Sequence, residues 1–129
     1  MPQTASVLSP RQAPSAGAVV SQAVTRAARL LGLNNAALAA VLGLSEPTIS
    51  RLASGAYTLD PAAKSYELAL LLIRLFRSLD AMVGGEDELV RTWMRSPNLA
   101  PSGIPADKVR TVTGLVETVA YVDSARARV

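Results

Sequence analysis

The segment from Asn34 to Tyr57, NNAALAAVLGLSEPTISRLASGAY, constrains the fold of this chain more than any other, because it specifies two short helices and the length of the turn between them. Leu38, Val41 and Leu42 recur at three- and four-residue spacing and give the first helix one apolar stripe. Ala39 is small enough for a second helix to cross close by. Gly43 follows the stripe, where a chain leaving a helix turns through a left-handed conformation that Gly adopts cheaply. Ser45 can accept hydrogen bonds from the amides that open the second helix, and Pro47 falls in its first turn, where a missing N–H costs little. Ile49 and Leu52 then face the first helix, and Gly55 ends the second. Two helices around so tight a turn are the pattern of a helix-turn-helix DNA-binding unit.

Glu46, Pro47, Thr48, Ser50, Arg51 and Ser54 are left to face outward on the second helix. With the capping serine, the candidate DNA contacts are Ser45, Glu46, Thr48, Ser50, Arg51 and Ser54. Glu46 can accept from cytosine N4 but repels phosphate, and Pro47 donates nothing, which leaves Thr48, Ser50 and Arg51 as the stronger base or backbone contacts. One arginine is a weak reader, so binding calls for a dimer or higher assembly that adds half-sites. The alternative is an ordinary helical hairpin with no nucleic-acid role. Charge divides unevenly: residues 1–64 hold five cations against two anions, and the remainder holds eight of each. The excess has the sign expected of a DNA-facing unit, although a solvated surface accounts for it equally well. Together with the helix before it, Val19 to Leu31, this segment resembles the Xre-like helix-turn-helix family of phage-repressor type.

Along the rest of the chain the signals are helical. Residues 1–17 are rich in Pro, Ser, Gln and Ala and are expected to form a disordered tail. A first helix follows from about Ala18 to Leu31, and residues 18–59 form the helix-turn-helix region. Asp60 and Pro61 read as N-cap and first position of a long helix that continues to about Val83, where Gly84 and Gly85 end it. Its apolar residues, among them Leu68, Leu72, Leu75, Phe76 and Leu79, cover more than one face, so residues 60–85 are expected to be a central core helix and a homodimer interface. Residues 86–129 hold a helix of about Glu86 to Arg95, a break at Ser96, Pro97 and Asn98, a short helix opened by Pro105, and a final helix from about Thr113. Trp93 is expected to sit in the core, holding the Ser96–Ile104 loop against the long helix, and Asn98 to be a loop hydrogen-bonding residue.

Composition excludes several functions. The chain has no cysteine and no histidine, which removes disulfides, thiolate metal sites, the commonest metal ligand and the commonest general base. Glu86, Asp87 and Glu88 read as the acidic first turn of a helix. No nucleophile with an adjacent base is evident, so the chain is not expected to be an enzyme or to carry a metal or cofactor. The apolar run Leu68 to Ile73 is broken by Arg74 and Arg77, far short of a membrane span, and Met1 to Gly17 lacks the apolar core of a signal peptide. A cytoplasmic location without membrane contact is the expectation. With half of the residues apolar, five aromatics and no alternating strand pattern, the expected fold is all-α.

The C-terminal half carries the more specific signal. WMRSPN at Trp93 to Asn98, IPADKVR at Ile104 to Arg110, Gly114, and the spacing of Val116, Val119 and Val122 resemble the toxin-binding domain of Xre/MbcA/ParS antitoxins. The order of these motifs, downstream of a helix-turn-helix, is the most specific feature of the chain. The resemblance implies a phage-repressor-like helix-turn-helix bundle, a long central helix and a C-terminal helical toxin-binding domain. It further implies the antitoxin of a type II toxin–antitoxin module, paired with a RES-domain toxin that consumes NAD. Such antitoxins cover the toxin's active-site entrance with their C-terminal segment, dimerise, and often repress their own operon by binding operator DNA.

The tail YVDSARARV suits that task. Tyr121 offers an apolar anchor with a polar tip, Arg126 and Arg128 can pair bidentately with carboxylates, and Asp123 and the carboxylate of Val129 add acceptors. The candidate toxin-binding residues are therefore Tyr121, Asp123, Arg126, Arg128 and Val129. Either arginine alone also suits the dipole of a helix C-terminus. The family tail often carries a Gly near its end, and this one has none after Gly114. The alternative function is a plain dimeric helix-turn-helix transcriptional regulator with a C-terminal dimerisation region. Deleting Tyr121 to Val129 would separate the two readings.

Overall fold

The computed structural model describes residues 13–99 and 103–127, and among them the chain is all-helical. The tail residues 1–12, together with Arg128 and Val129, lie outside the described residues. Seven helices follow in order: α1 Ala16–Leu30, α2 Asn35–Leu42, α3 Glu46–Ser54, α4 Lys64–Met82, α5 Asp87–Arg95, α6 Pro105–Lys108 and α7 Val112–Ala127. The long α4 is the central element and packs against α1, α2, α5 and α7. Ala69, Leu72, Leu75 and Leu79 are its fully buried residues, and around them Val24, Leu31, Leu42, Ile49, Val90, Met94, Leu115 and Val122 complete one continuous core. The expectation of a central helix with apolar residues on several faces is met.

Local signals explain the N-terminal elements. The α1 helix begins two residues earlier than its apolar pattern implies, because the Ser15 side chain accepts from the Ala18 amide and caps it. The buried hydroxyl of Ser21 donates to the Gly17 carbonyl at 2.6 Å and accepts from the Leu59 amide at 2.9 Å, tying the chain after α3 to α1. Asn34 caps α2 through the Ala37 amide. Gly43 leaves α2 at φ 68°, a left-handed conformation that a β-carbon would oppose. Ser45 then caps α3 with Pro47 in the first turn, as the sequence predicts.

The start of α4 differs from expectation. Asp60 and Pro61 lie before the helix, which begins at Lys64 behind Ala63 and has no side-chain cap. The Asp60 carboxylate instead accepts from the Ala62 amide, and its carbonyl accepts from the Ala63 amide, both at 2.9 Å. An Asp that bonds an amide two residues on makes a turn of its own, and here that turn competes with helix initiation. Leu59, 1% exposed and tied to Ser21, fixes the chain on the core just before it, so the turn redirects the chain into α4.

In α7 the apolar spacing is only partly inward. Val119 and Val122 are buried, but Val116 is exposed, and Leu115 and Thr118 fill the core. The Thr118 hydroxyl is satisfied by donating to the Gly114 carbonyl at 2.7 Å. Gly114 is buried where α7 meets the end of α6, and any β-carbon there would collide with the Lys108 carbonyl. Lys108 also pairs with Glu117, so a close backbone approach and an ion pair join α6 to α7.

Candidate functional site

Two surfaces gather the chemistry-bearing residues. The first is the outward face of α3. Ile49 and Leu52 are buried against the neighbouring helices, which turns Glu46, Ser50, Arg51 and Ser54 to solvent beside the half-buried Thr48. The Ser45 hydroxyl accepts from the Thr48 amide at 3.3 Å and shares a 2.8 Å hydrogen bond with the Thr48 hydroxyl. That hydroxyl in turn accepts from the Arg51 guanidinium at 3.1 Å. A short chain of hydroxyls thus runs from the helix start to Arg51. It steadies the guanidinium along the helix and leaves its other N–H groups for an outside acceptor. Ser54 spends its hydroxyl on the Arg51 carbonyl. The face therefore presents one oriented cation, one carboxylate from Glu46 and several hydroxyls.

The second surface lies where the end of α7 meets α4 and α5. Tyr121 is 45% exposed, and its ring stacks on Trp93 with centroids 6.3 Å apart and planes 27° from parallel. Trp93 is therefore half-buried at the surface and reaches α7, and the deep positions of α5 belong to Val90 and Met94. The expectation of a core tryptophan beside the following loop is met in part: Trp93 packs against the core from its edge, next to Val83, Ser96 and Asn98. The apolar periodicity of α5 permits either Trp93 or Met94 inward, and the slimmer Met94 takes the deep position. Asn98 donates to the Trp93 carbonyl at 2.6 Å, a loop hydrogen bond as expected. Trp93 also borders a cleft with Val83, the exposed Leu89 and Asn98.

Asp123 and Arg126 face α4. The Asp123 carboxylate pairs with Arg74, accepting from Nη2 at 2.8 Å and Nε at 2.9 Å, and accepts from the buried Ser78 hydroxyl at 2.6 Å. The Ser78 hydrogen bond, helped by the Arg74 guanidinium, holds the Asp123 carboxyl below its ordinary 3.8, against the opposing effect of partial burial. Arg126 reaches the Ser78 hydroxyl at 3.4 Å. Of the tail residues singled out in the sequence, Asp123 is thus engaged within the chain, and Tyr121 and Arg126 remain exposed beside it. Arg74 and Ser78 do not stand out in the sequence as partners. The only signal was their four-residue spacing on one face of α4.

This geometry changes what a tail deletion would test. Val122 is fully buried and Asp123 ties two helices, so removing residues 121–129 would damage the core as well as any docking surface. Among the described residues no group of acidic side chains is placed to hold a metal ion, and no helix is long and apolar enough to cross a membrane.

Comparison with protein families gives two adjoining matches. Residues 10–74 match the antitoxin Xre-like helix-turn-helix domain, and residues 78–128 match the antitoxin Xre/MbcA/ParS C-terminal toxin-binding domain. A search of curated proteins finds no match.

Proposed function

The chain belongs to the antitoxins with an Xre-like helix-turn-helix domain, and from that premise we propose that it neutralises a RES-domain, NAD-degrading toxin through the end of α7. The observation that carries this reading is the placement of Tyr121 and Arg126. Both are exposed at the end of the region matched to a toxin-binding domain, on a helix that Asp123 anchors to α4. A docking element held in shape beforehand loses less conformational entropy on binding. The Trp93–Tyr121 pair and Leu89 supply a compact apolar anchor of the kind that dominates binding energy, and Arg126, followed by Arg128 and Val129, supplies charged contacts. Asp123 acts by holding this element in place.

Residues 18–59 form the DNA-binding region in this proposal, with Arg51, Thr48 and Ser50 as its principal contacts and Ser45, Glu46 and Ser54 around them. A homodimer, with residues 60–85 at or near its interface, supplies two half-sites and allows repression of its own operon. Residues 86–129 form the toxin-binding region. The protein acts in the cytoplasm, where such a toxin would consume NAD.

Co-expression with a RES-domain toxin tests the reading, with growth and NAD level followed for the full chain, the doubly substituted Tyr121→Ala/Arg126→Glu chain, and Arg51→Ala. The full chain and Arg51→Ala are expected to restore growth, and the double substitution is expected to lose rescue while retaining operator binding in a gel-shift assay. Equal rescue by the double substitution would remove the end of α7 from the mechanism. Failure of the full chain to rescue, with operator binding intact, would favour a plain transcriptional regulator.

A further inference from the structure

The open groove between α4 and α7 has a volume of about 540 Å³ and, among the described residues, is lined by more positive than negative charge. Arg74, Arg77 and Arg126 line it, against the single carboxylate of Asp123. Arg74 is committed to Asp123. Arg126 has a long hydrogen bond to Ser78 and acts on the Asp123 carboxylate through space, and Arg77 forms no ion pair with any described residue. Among the described residues two guanidinium groups are therefore left without a direct ion pair in a recess lined also by the 2% exposed Ser78. Leu70 and Ile73 form a small apolar wall.

We propose that this groove is a binding site for a small phosphate-bearing anion of the nucleoside diphosphate class. Guanidinium groups present planar, paired donors that match phosphate oxygens, and the net positive charge of the groove offsets part of the charge of a diphosphate. The volume lies well within the range of roughly 300–1,000 Å³ typical of small-molecule sites, and is much larger than an inorganic ion requires. The apolar wall is short: Leu70 is 45% exposed and Ile73 half-buried, enough to meet one ring and too little to seat a helix of another protein. In the bound state Arg77 and Arg126 clamp the phosphates, Arg74 stays on Asp123, and the base or sugar lies against Leu70. Because Arg126 also belongs to the toxin-facing end of α7, an occupied groove and a docked toxin draw on the same side chain.

Isothermal titration of the full-length chain alone with ADP, pyrophosphate and adenosine tests the site without toxin or DNA, so its outcome is independent of the antitoxin reading. ADP and pyrophosphate are expected to bind saturably and adenosine not at all. Affinity for ADP is expected to fall by about tenfold or more in Arg77→Ala/Arg126→Ala, on the scale of a lost charged hydrogen bond. Arg110→Ala, which removes one charge from an exposed turn elsewhere, is expected to bind as the parent does. Absence of saturable ADP binding, or equal binding by the double variant, would overturn the proposal. So would binding of a glutamate-rich peptide by a chain that ignores ADP, since the groove would then be a protein-docking surface.

Discussion

In the N-terminal half, Ser15, Asn34 and Ser45 each start a helix with a side-chain oxygen on a backbone amide, whereas α4, α5 and α6 begin with no side-chain cap at all. The later helices are tied by contacts distant in sequence. Asp123 reaches Arg74 and Ser78 across 49 and 45 residues, and Trp93 meets Tyr121. The first half is written largely in neighbours a few positions apart. The second depends on partners that meet only once the chain has folded. The difference also fits their proposed tasks: a DNA-reading helix needs a fixed local shape, and a toxin-facing helix needs an anchor that leaves its tip exposed.

The comparison is sharpest if the shared core is broken first. Leu75 is fully buried on α4, which packs against elements of both halves, and Leu75→Ala is expected to cost about 2–5 kcal/mol. Denaturant unfolding followed by Trp93 fluorescence and by far-ultraviolet circular dichroism should show one coincident transition, and two separate transitions would make the halves independent. Gly114→Val tests the close approach of α6 to α7. The new side chain meets the Lys108 carbonyl, and a loss of about 1–3 kcal/mol is expected in the same assay.

Caps come next. Ser45→Ala removes an N-cap and is expected to cost about 1 kcal/mol, with Ser45→Asp restoring most of it. A loss near zero would mean that tertiary packing, and not local signals, holds α3. The Asp123 tie is separated by pH. Because its folded carboxyl is held below the ordinary 3.8, its contribution is present above that value and is lost as pH falls through the lower folded value. Asp123→Asn should therefore flatten the acid limb of the stability–pH curve while Ser45→Ala leaves its shape unchanged. The smallest effect is expected at the Glu88–Arg91 pair, where the carboxylate side chain is 71% exposed. Arg91→Ala should change stability less than Ser45→Ala does, and less still at high salt.

Legibility followed the same division. The α2–turn–α3 unit, the Ser45 cap and the inward Leu38, Val41, Leu42, Ile49 and Leu52 could be read from short spacings, because each depended on residues within one or two turns of helix. The start of α4 could not. Asp60 and Pro61 have the chemistry of a helix start, but the Asp60 carboxylate took a nearer amide, and Ser21 held Leu59 to α1. In α7 the spacing of Val116, Val119 and Val122 does not show which side faces inward: Val116 is exposed, and Leu115 and Thr118 take the core. Adjacent apolar residues compete for one inward position, and the neighbouring helix decides between them. On the candidate site, Tyr121 and Arg126 were identifiable as polar-tipped and charged residues near the end of a helix. That Asp123 faces inward, and that Trp93 stacks on Tyr121, required partners from other helices.

The sequence by itself determined an all-helical chain, a helix-turn-helix and the order of motifs that marks the toxin-binding region, because periodicity, caps and turn residues act over a few positions. Tertiary structure alone decided which of two neighbouring side chains entered the core, where the central helix begins, and that Arg74, Ser78 and Asp123 form one anchor. Such choices depend on the shape and charge of a surface that exists only after distant segments have packed together, and no pattern along the chain records them.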